Sequence, residues 1–237
     1  MDANIVEIET MSGSELIPRV KASFAASLIG DSAIDPAVLA ISGMSGRCYR
    51  KFINNLVRAT PDARYLEIGS WAGSTLCAAV NRNAVRATAI DNWSQFGGPK
   101  DQFELNLKRF KTPQSYVNFI ESDFRSVDYS ELGRFNIYLF DGPHAYQDQY
   151  DALVLTRIAL DRQFVLVIDD WNWKDIREGT RRAMQDAGIW PLYSIEVRTT
   201  LDDTHAPMSG ENSDWHNGYF ICVAEQERES SLITVRE

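Results

Sequence analysis

From Arg64 onward, short apolar runs alternate with stretches of helical periodicity, and nothing else in the 237-residue chain restricts its fold as much. Arg64–Ile68, Arg86–Asp91 and residues 117–121, 136–140 and 164–168 read as strands. Residues 73–81, 101–110, 146–160 and 174–187 carry the apolar stripe of helices. Strands that alternate with helices form a parallel sheet through right-handed crossovers. The run at 164–168, FVLVI, suits a strand buried on both faces. The rhythm then breaks. Residues 192–200 and 219–224 are both strand-like, and the segment between them, 201–217, is rich in Asp, Gly, Pro, Ser and Asn. Two strands with no crossover helix pair antiparallel. The expected architecture is α/β: a doubly wound, mostly parallel, seven-stranded sheet closing in a C-terminal antiparallel hairpin.

The N-terminal part reads differently. Residues 1 to about 12 resemble a frayed terminus, and 14–40 one or two short helices broken near Gly30 and Pro36. Met44, Cys48, Tyr49, Phe52, Ile53, Leu56 and Val57 make one helical stripe, stopped at Thr60-Pro61. Residues 1–60 are thus expected to be a helical extension, with a lid and an oligomer interface as its two candidate roles. Residues 61–237 form the main domain. A homo-oligomer is the expected assembly.

Charge and cysteines bound the partners. A formal net charge of −9 disfavours nucleic acid, whose affinity comes largely from Lys and Arg releasing counterions. Cys48, Cys77 and Cys222 are scattered and form neither a CxxC pair nor a metal cluster, which suits a reducing cytoplasm. The acidic start is unlike a signal peptide, and the apolar stretch at 24–29 is too short to span a membrane.

Between the first strand and its helix runs Glu67-Ile68-Gly69-Ser70-Trp71-Ala72-Gly73-Ser74. Gly69 permits a tight turn and close ligand approach, and Gly73 opens the helix. The spacing G-x-x-x-G departs from the G-x-G-x-x-G of dinucleotide sites. A cofactor with no phosphate, S-adenosylmethionine, fits better. Glu67 is placed to meet its amino group, Asp91 its ribose hydroxyls and Asp123 its adenine amine, with Phe124 or Trp93 flanking the ring. Ser70 and Ser74 belong to the same loop, and Asp141, at a later strand end, is counted with the cofactor residues as well.

A second set of acids ends the next two strands: Asp141 in Asp141-Gly142-Pro143-His144, and the pair Asp169-Asp170. Three carboxylates converging on one rim repel one another unless a cation intervenes. Hard oxygen ligands point to Mg²⁺ or another hard divalent ion. Such an ion lowers the pKa of a bound hydroxyl, and His144 has the titration range of a general base. Asp-Gly turns and strand-end caps account for such acids just as readily when each is taken singly.

Together LEIGSWAGST, LFDGPHAYQDQYDAL and VLVIDDW resemble the metal-dependent sugar O-methyltransferases of antibiotic biosynthesis, the macrocin O-methyltransferase type, over roughly residues 47–224. That resemblance implies the class I methyltransferase fold, magnesium held by Asp141, Asp169 and Asp170, and His144 as the base. The catechol-type enzymes are similar in layout, but carry Asn where this chain has Asp170 and a lysine where it has His144. The implied function is methylation of a small-molecule hydroxyl, on a sugar or glycosylated natural product. An aromatic hydroxyl, a metal-dependent glycosyl transfer and an inactive binding module are the alternatives. The loop 201–217 is expected to be either a lid or a plain surface loop. Trp171 and Trp173 are expected either to wall the acceptor pocket or to pack in the core.

Overall fold

In the computed structural model, residues 3–11 and 13–227 are described. Strand β1 (Asn4–Glu9) is followed by α1 (Leu16–Leu28), the short α2 (Pro36–Leu39) and α3 (Arg47–Ala59). Then come β2 (Arg64–Ile68), α4 (Ser74–Val80), β3 (Arg86–Asp91), α5 (Lys100–Phe110), β4 (Tyr116–Glu121) and β5 (Phe135–Phe140). The chain continues through α6 (Tyr146–Thr156), β6 (Leu160–Asp169), α7 (Lys174–Asp186), β7 (Ile189–Arg198) and β8 (Tyr219–Gln226). One eight-stranded sheet results, in the order β1-β7-β8-β6-β5-β2-β3-β4.

Strands β6, β5, β2, β3 and β4 are parallel neighbours, while β8 runs antiparallel between β6 and β7. This is the expected hairpin, with its second strand inserted against the parallel core. The period-2 alternation of strand side chains explains why the sheet needs a layer on each face. Val165 and Val167 of β6 enter an apolar cluster with Phe24, Phe52 and Leu56 from α1 and α3. Leu166 and Ile168, the intervening residues, join Leu153, Ile176 and Ala183 from α6 and α7 on the other face. The N-terminal helices therefore share the core of the sheet.

Two expectations need correction. The sheet has eight strands, because most of the supposed frayed terminus is β1, paired antiparallel with β7 from Asn4↔Arg198 to Glu9↔Tyr193. Met1, Asp2 and Ser12 lie outside the described residues. The sequence concealed this strand because its alternation is inverted: Val6 and Ile8 face solvent, while Glu7 accepts from Tyr193 Oη (2.6 Å) and Glu9 pairs with Lys21 (2.6 Å). The helix expected over 146–160 also ends early, at Thr156, whose Oγ1 bonds back to Ala152 O at 2.6 Å. A short 3₁₀ turn, Arg157–Ala159, follows, and β6 begins at Leu160.

Candidate active site

The C-terminal ends of β2, β3, β5 and β6 border a cavity of about 600 Å³. This is where open α/β sheets bind ligands, and the volume lies within the range of small-molecule sites. Gly69 turns the chain over this edge with φ +87°, and a Cβ there would stand 1.8 Å from Asp141 O. The Gly69 loop and the Asp141 turn are thus in backbone contact. Asp91, at the end of β3, fastens the loop from the other side. Its Oδ2 accepts from the N–H groups of Ser70 (2.7 Å) and Trp71 (2.8 Å), and its Oδ1 from Trp93 N–H (2.7 Å).

Of the residues expected to touch a cofactor, Gly69, Asp91, Asp123, Phe124 and Asp141 line this cavity. Glu67, Ser70, Gly73, Ser74 and Trp93 do not line it; they lie behind it and shape it. Glu67 is fully buried and accepts from Tyr65 Oη (2.6 Å) and Ser70 Oγ (2.8 Å). Ser74 Oγ faces Ser45 Oγ at 3.0 Å, and Gly73 backs onto Phe103. Trp93 turns inward against Phe103 and Phe119 and donates from Nε1 to Trp71 O (3.1 Å). Asp123 caps its own turn by accepting from Arg125 N–H at 2.8 Å.

Burial pushes the Glu67 carboxyl up to about 7, against the lowering effect of its two hydroxyl donors. A carboxyl raised in the folded state stabilises the fold fully below its unfolded pKa and loses that contribution as pH rises through its folded value. Wild-type melting temperature is therefore expected to fall between about pH 4.5 and 7 by more than in Glu67→Gln, whose amide does not titrate. Parallel pH–melting curves for the two proteins would contradict this account of Glu67.

The acid cluster is more tightly drawn. Ligand atoms of Asp141, His144 and Asp170 all lie within 4.8 Å of one another. His144 Nε2 is 3.0 Å from Asp170 Oδ2, and Asn217 Nδ2 donates to Asp170 Oδ1 at 2.8 Å. Asp169 Oδ1 accepts the Asp170 N–H, but its Oδ2 is buried with no hydrogen-bond partner. Burial and then the neighbouring Asp170 push Asp141 well above the usual carboxylate range; burial and then Asp141 do the same to Asp169. Burial also works to raise Asp170, yet the hydrogen bond and charge of His144, with Asn217, outweigh it and hold it below that range. An orphaned buried carboxylate oxygen among mutually repelling acids is the environment a hard cation relieves. The donor set fits one.

Rings continue the wall beyond the acids. His144 lies 6.2 Å from Phe96 and 5.0 Å from Trp173, and Trp173 lies 4.8 Å from His205. Trp171 is instead a core residue, stacked on Phe220 at 4.4 Å. The 201–217 segment is tied into the site. Asn217 holds Asp170, its carbonyl accepts from Asn172 N–H (2.9 Å), and Asn172 Oδ1 accepts from Thr199 N–H (2.9 Å). The same segment binds the N-terminal part through Arg47 N–H to Ser213 O (2.8 Å) and Gly43 N–H to Glu211 (3.2 Å). Four further residues are on the cavity wall: Met44, which the sequence offers only as part of a helical stripe, His216 and Asn217, which it offers only within the 201–217 loop, and Gln95, which it does not single out. Gln95, His216 and Asn217 sit in segments without periodicity, where spacing carries no signal, and Met44 precedes α3, which begins only at Arg47.

Residues 66–171 match a family described as a methyltransferase domain. Among solved structures, the chain is similar to an O-methyltransferase from Bacillus cereus in complex with SAH, at 14% identity and TM-score 0.52, covering 90% of this chain and 92% of that one. It is similar as well to the O-methyltransferase TomG from Streptomyces achromogenes, involved in tomaymycin synthesis and solved with SAM: 13% identity, TM-score 0.52, 92% of each chain. TrmN from Thermus thermophilus matches at 14% identity and TM-score 0.52 over 76% of this chain, which spans about half (48%) of its length. No curated protein matches the sequence. At these identities the likeness establishes the fold, that of the class I methyltransferases. No helix among the described residues is long and apolar enough to cross a membrane.

Proposed function

We propose that a chain with this methyltransferase fold transfers the methyl group of S-adenosylmethionine to a hydroxyl of a small molecule, with a divalent cation, Mg²⁺ or a similar hard ion, assisting. The observation that carries the proposal is the joining of two half-sites in one cavity. The Gly69 loop and Asp91 line it together with Asp141, Asp169, Asp170 and His144, and the Gly69 loop meets the Asp141 turn backbone to backbone. Asp91 retains acceptor capacity for a ribose hydroxyl beyond its backbone bonds, and Phe124 offers an apolar face to the adenine.

Asp141, Asp169 and Asp170 would hold the cation, which supplies a lowered hydroxyl pKa and a fixed position for the acceptor oxygen. His144 takes the hydroxyl proton as the oxygen–methyl bond forms and the sulfonium–methyl bond breaks, leaving neutral S-adenosylhomocysteine. Cavity walls that hold donor and acceptor in line contribute by orientation. The acceptor within this reading is a sugar or glycosylated natural product. The Phe96–His144–Trp173–His205 row supports that reading, since C–H-rich sugar faces pack on aromatic rings.

Isothermal titration of the purified protein with S-adenosylhomocysteine, with and without Mg²⁺, tests the donor: binding is expected, and none under either condition would sink the proposal. His144→Gln is expected to lower kcat by about 10²–10⁴-fold while S-adenosylhomocysteine binds as before. An unchanged kcat would remove His144 from the chemistry.

A further inference from the structure

The charge of the cavity wall restricts the acceptor further than its shape does. Six carboxylates line it: Asp91, Asp123, Asp141, Asp148, Asp169 and Asp170. Among the described residues, Arg125 is the only Lys or Arg on the wall. Its guanidinium is already committed: Nη2 donates to Asp148 (2.6 Å), Nε to Asp151 (2.7 Å), and the group lies 4.5 Å over the Phe124 ring. Arg125 also follows Phe124, the residue assigned above to the adenine.

Of the three histidines on the wall, His144 and His216 are already engaged with protein groups. His144 faces Asp170. His216 Nδ1 accepts from Gly210 N–H at 2.9 Å, a bond only the neutral ring can make. His205 packs edge-on to Trp173. The wall also includes Met44, Ser94, Gln95, Pro143 and Ser209, none of them cationic.

From this we infer that the acceptor is an uncharged or cationic small molecule presenting a flat or C–H-rich face to the Phe96–Trp173 row, and that molecules with a phosphate, carboxylate or coenzyme A tail are rejected. A buried anion needs a charged or multiple hydrogen-bond partner, and without one it loses its hydration uncompensated. Here it would also meet three acids whose charge one divalent cation offsets only in part, and like charges placed together at a site suppress the wrong partner. The chain's net charge of −9 works in the same direction during encounter. This inference rests on the methyl-transfer reading above and sharpens it from any hydroxyl to a charge class.

The test uses the full chain with Mg²⁺ and S-adenosylmethionine carrying a labelled methyl group, and two matched sets of probes. One comprises 3,4-dihydroxybenzyl alcohol, dopamine and 3,4-dihydroxybenzoate; the other methyl glucoside, glucosamine, glucuronate and glucose 6-phosphate. In whichever set is methylated, neutral and cationic members should exceed the anionic ones by at least about tenfold in kcat/KM. Gln95→Lys, which adds a cation to the wall, should narrow that gap. An anionic member methylated as well as its neutral partner overturns the inference. So does methylation of no member by a protein that binds S-adenosylhomocysteine. Failure to bind S-adenosylhomocysteine at all would instead remove the parent proposal, so the two failures are told apart by one titration.

Discussion

Asp169→Asn is expected to reduce methyl transfer by roughly 10³-fold, about 4 kcal/mol of transition-state stabilisation, while leaving S-adenosylhomocysteine affinity within a few-fold. The reason is local. Asp169 is buried, its Oδ2 has no partner, and it lines the cavity beside Asp141 and Asp170. An amide there removes a charge the cation needs and leaves the Gly69 loop untouched. A second, opposite effect should accompany the loss. Asp141 and Asp169 are both pushed above the ordinary carboxylate range, by burial first and by neighbouring carboxylates next. Their contribution to stability is therefore full below the unfolded pKa of about 4 and is lost as pH rises through their folded values. Chelator-treated wild type should melt at falling temperature toward alkaline pH, and Asp169→Asn should fall less. Mg²⁺ should raise the melting temperature of the wild type and leave that of the variant nearly unchanged. Equal activity in the two proteins would mean that the metal assignment is wrong.

Gly69→Ala should be the most damaging single-atom-group addition in the molecule, costing about 3 kcal/mol or more. Two separate penalties combine there. The backbone is left-handed at φ +87°, and the new methyl would sit 1.8 Å from Asp141 O. Relief requires moving the Asp141 turn away from β2, which would spread the acids as well as the cofactor loop. Gly133 separates the two penalties. It has nearly the same φ, +84°, but nothing within 4 Å of its absent Cβ. Gly133→Ala should cost only the conformational part, about 1–2 kcal/mol. Urea unfolding of the two variants makes the comparison, and equal destabilisation would refute the contact between the two loops.

The legible part of this protein was periodic. Val165 and Val167 face one layer, Leu166 and Ile168 the other, so FVLVI could be assigned to a central strand from composition alone. Strand-end acids were legible for the same reason: a strand fixes where its last residue points. Side chains in the loops were not. Trp93 follows Asp91 closely and was expected beside the adenine, but its left-handed backbone (φ 49°) turns the indole into the core. Glu67 was expected to face the cofactor, but the hydroxyls of Tyr65 and Ser70 hold it below the loop. Strand β1 was hidden by an edge position that leaves Val6 and Ile8 in water and gives its glutamates the inner partners. For Trp93 and β1 the deciding contacts reach across many residues of sequence, and for Glu67 they depend on how two nearby hydroxyls turn; local pattern records neither.

The placement of β8 bears on how the protein is made. This strand fills the space between β6 and β7, and the segment just before it brings Asn217 to Asp170 and Ser213 to Arg47. A ribosome delivers these residues after nearly everything they organise. Until they emerge, β7 has no neighbour linking it to the parallel strands, β1 has no anchored β7 to pair with, and Asp170 lacks its amide partner. Early and late parts of the chain therefore become ordered together, through contacts of long sequence separation that slow folding. The cavity rim depends on this late segment, so a chain stalled before β8 would hold the Gly69 loop and the three acids without Asn217 against Asp170.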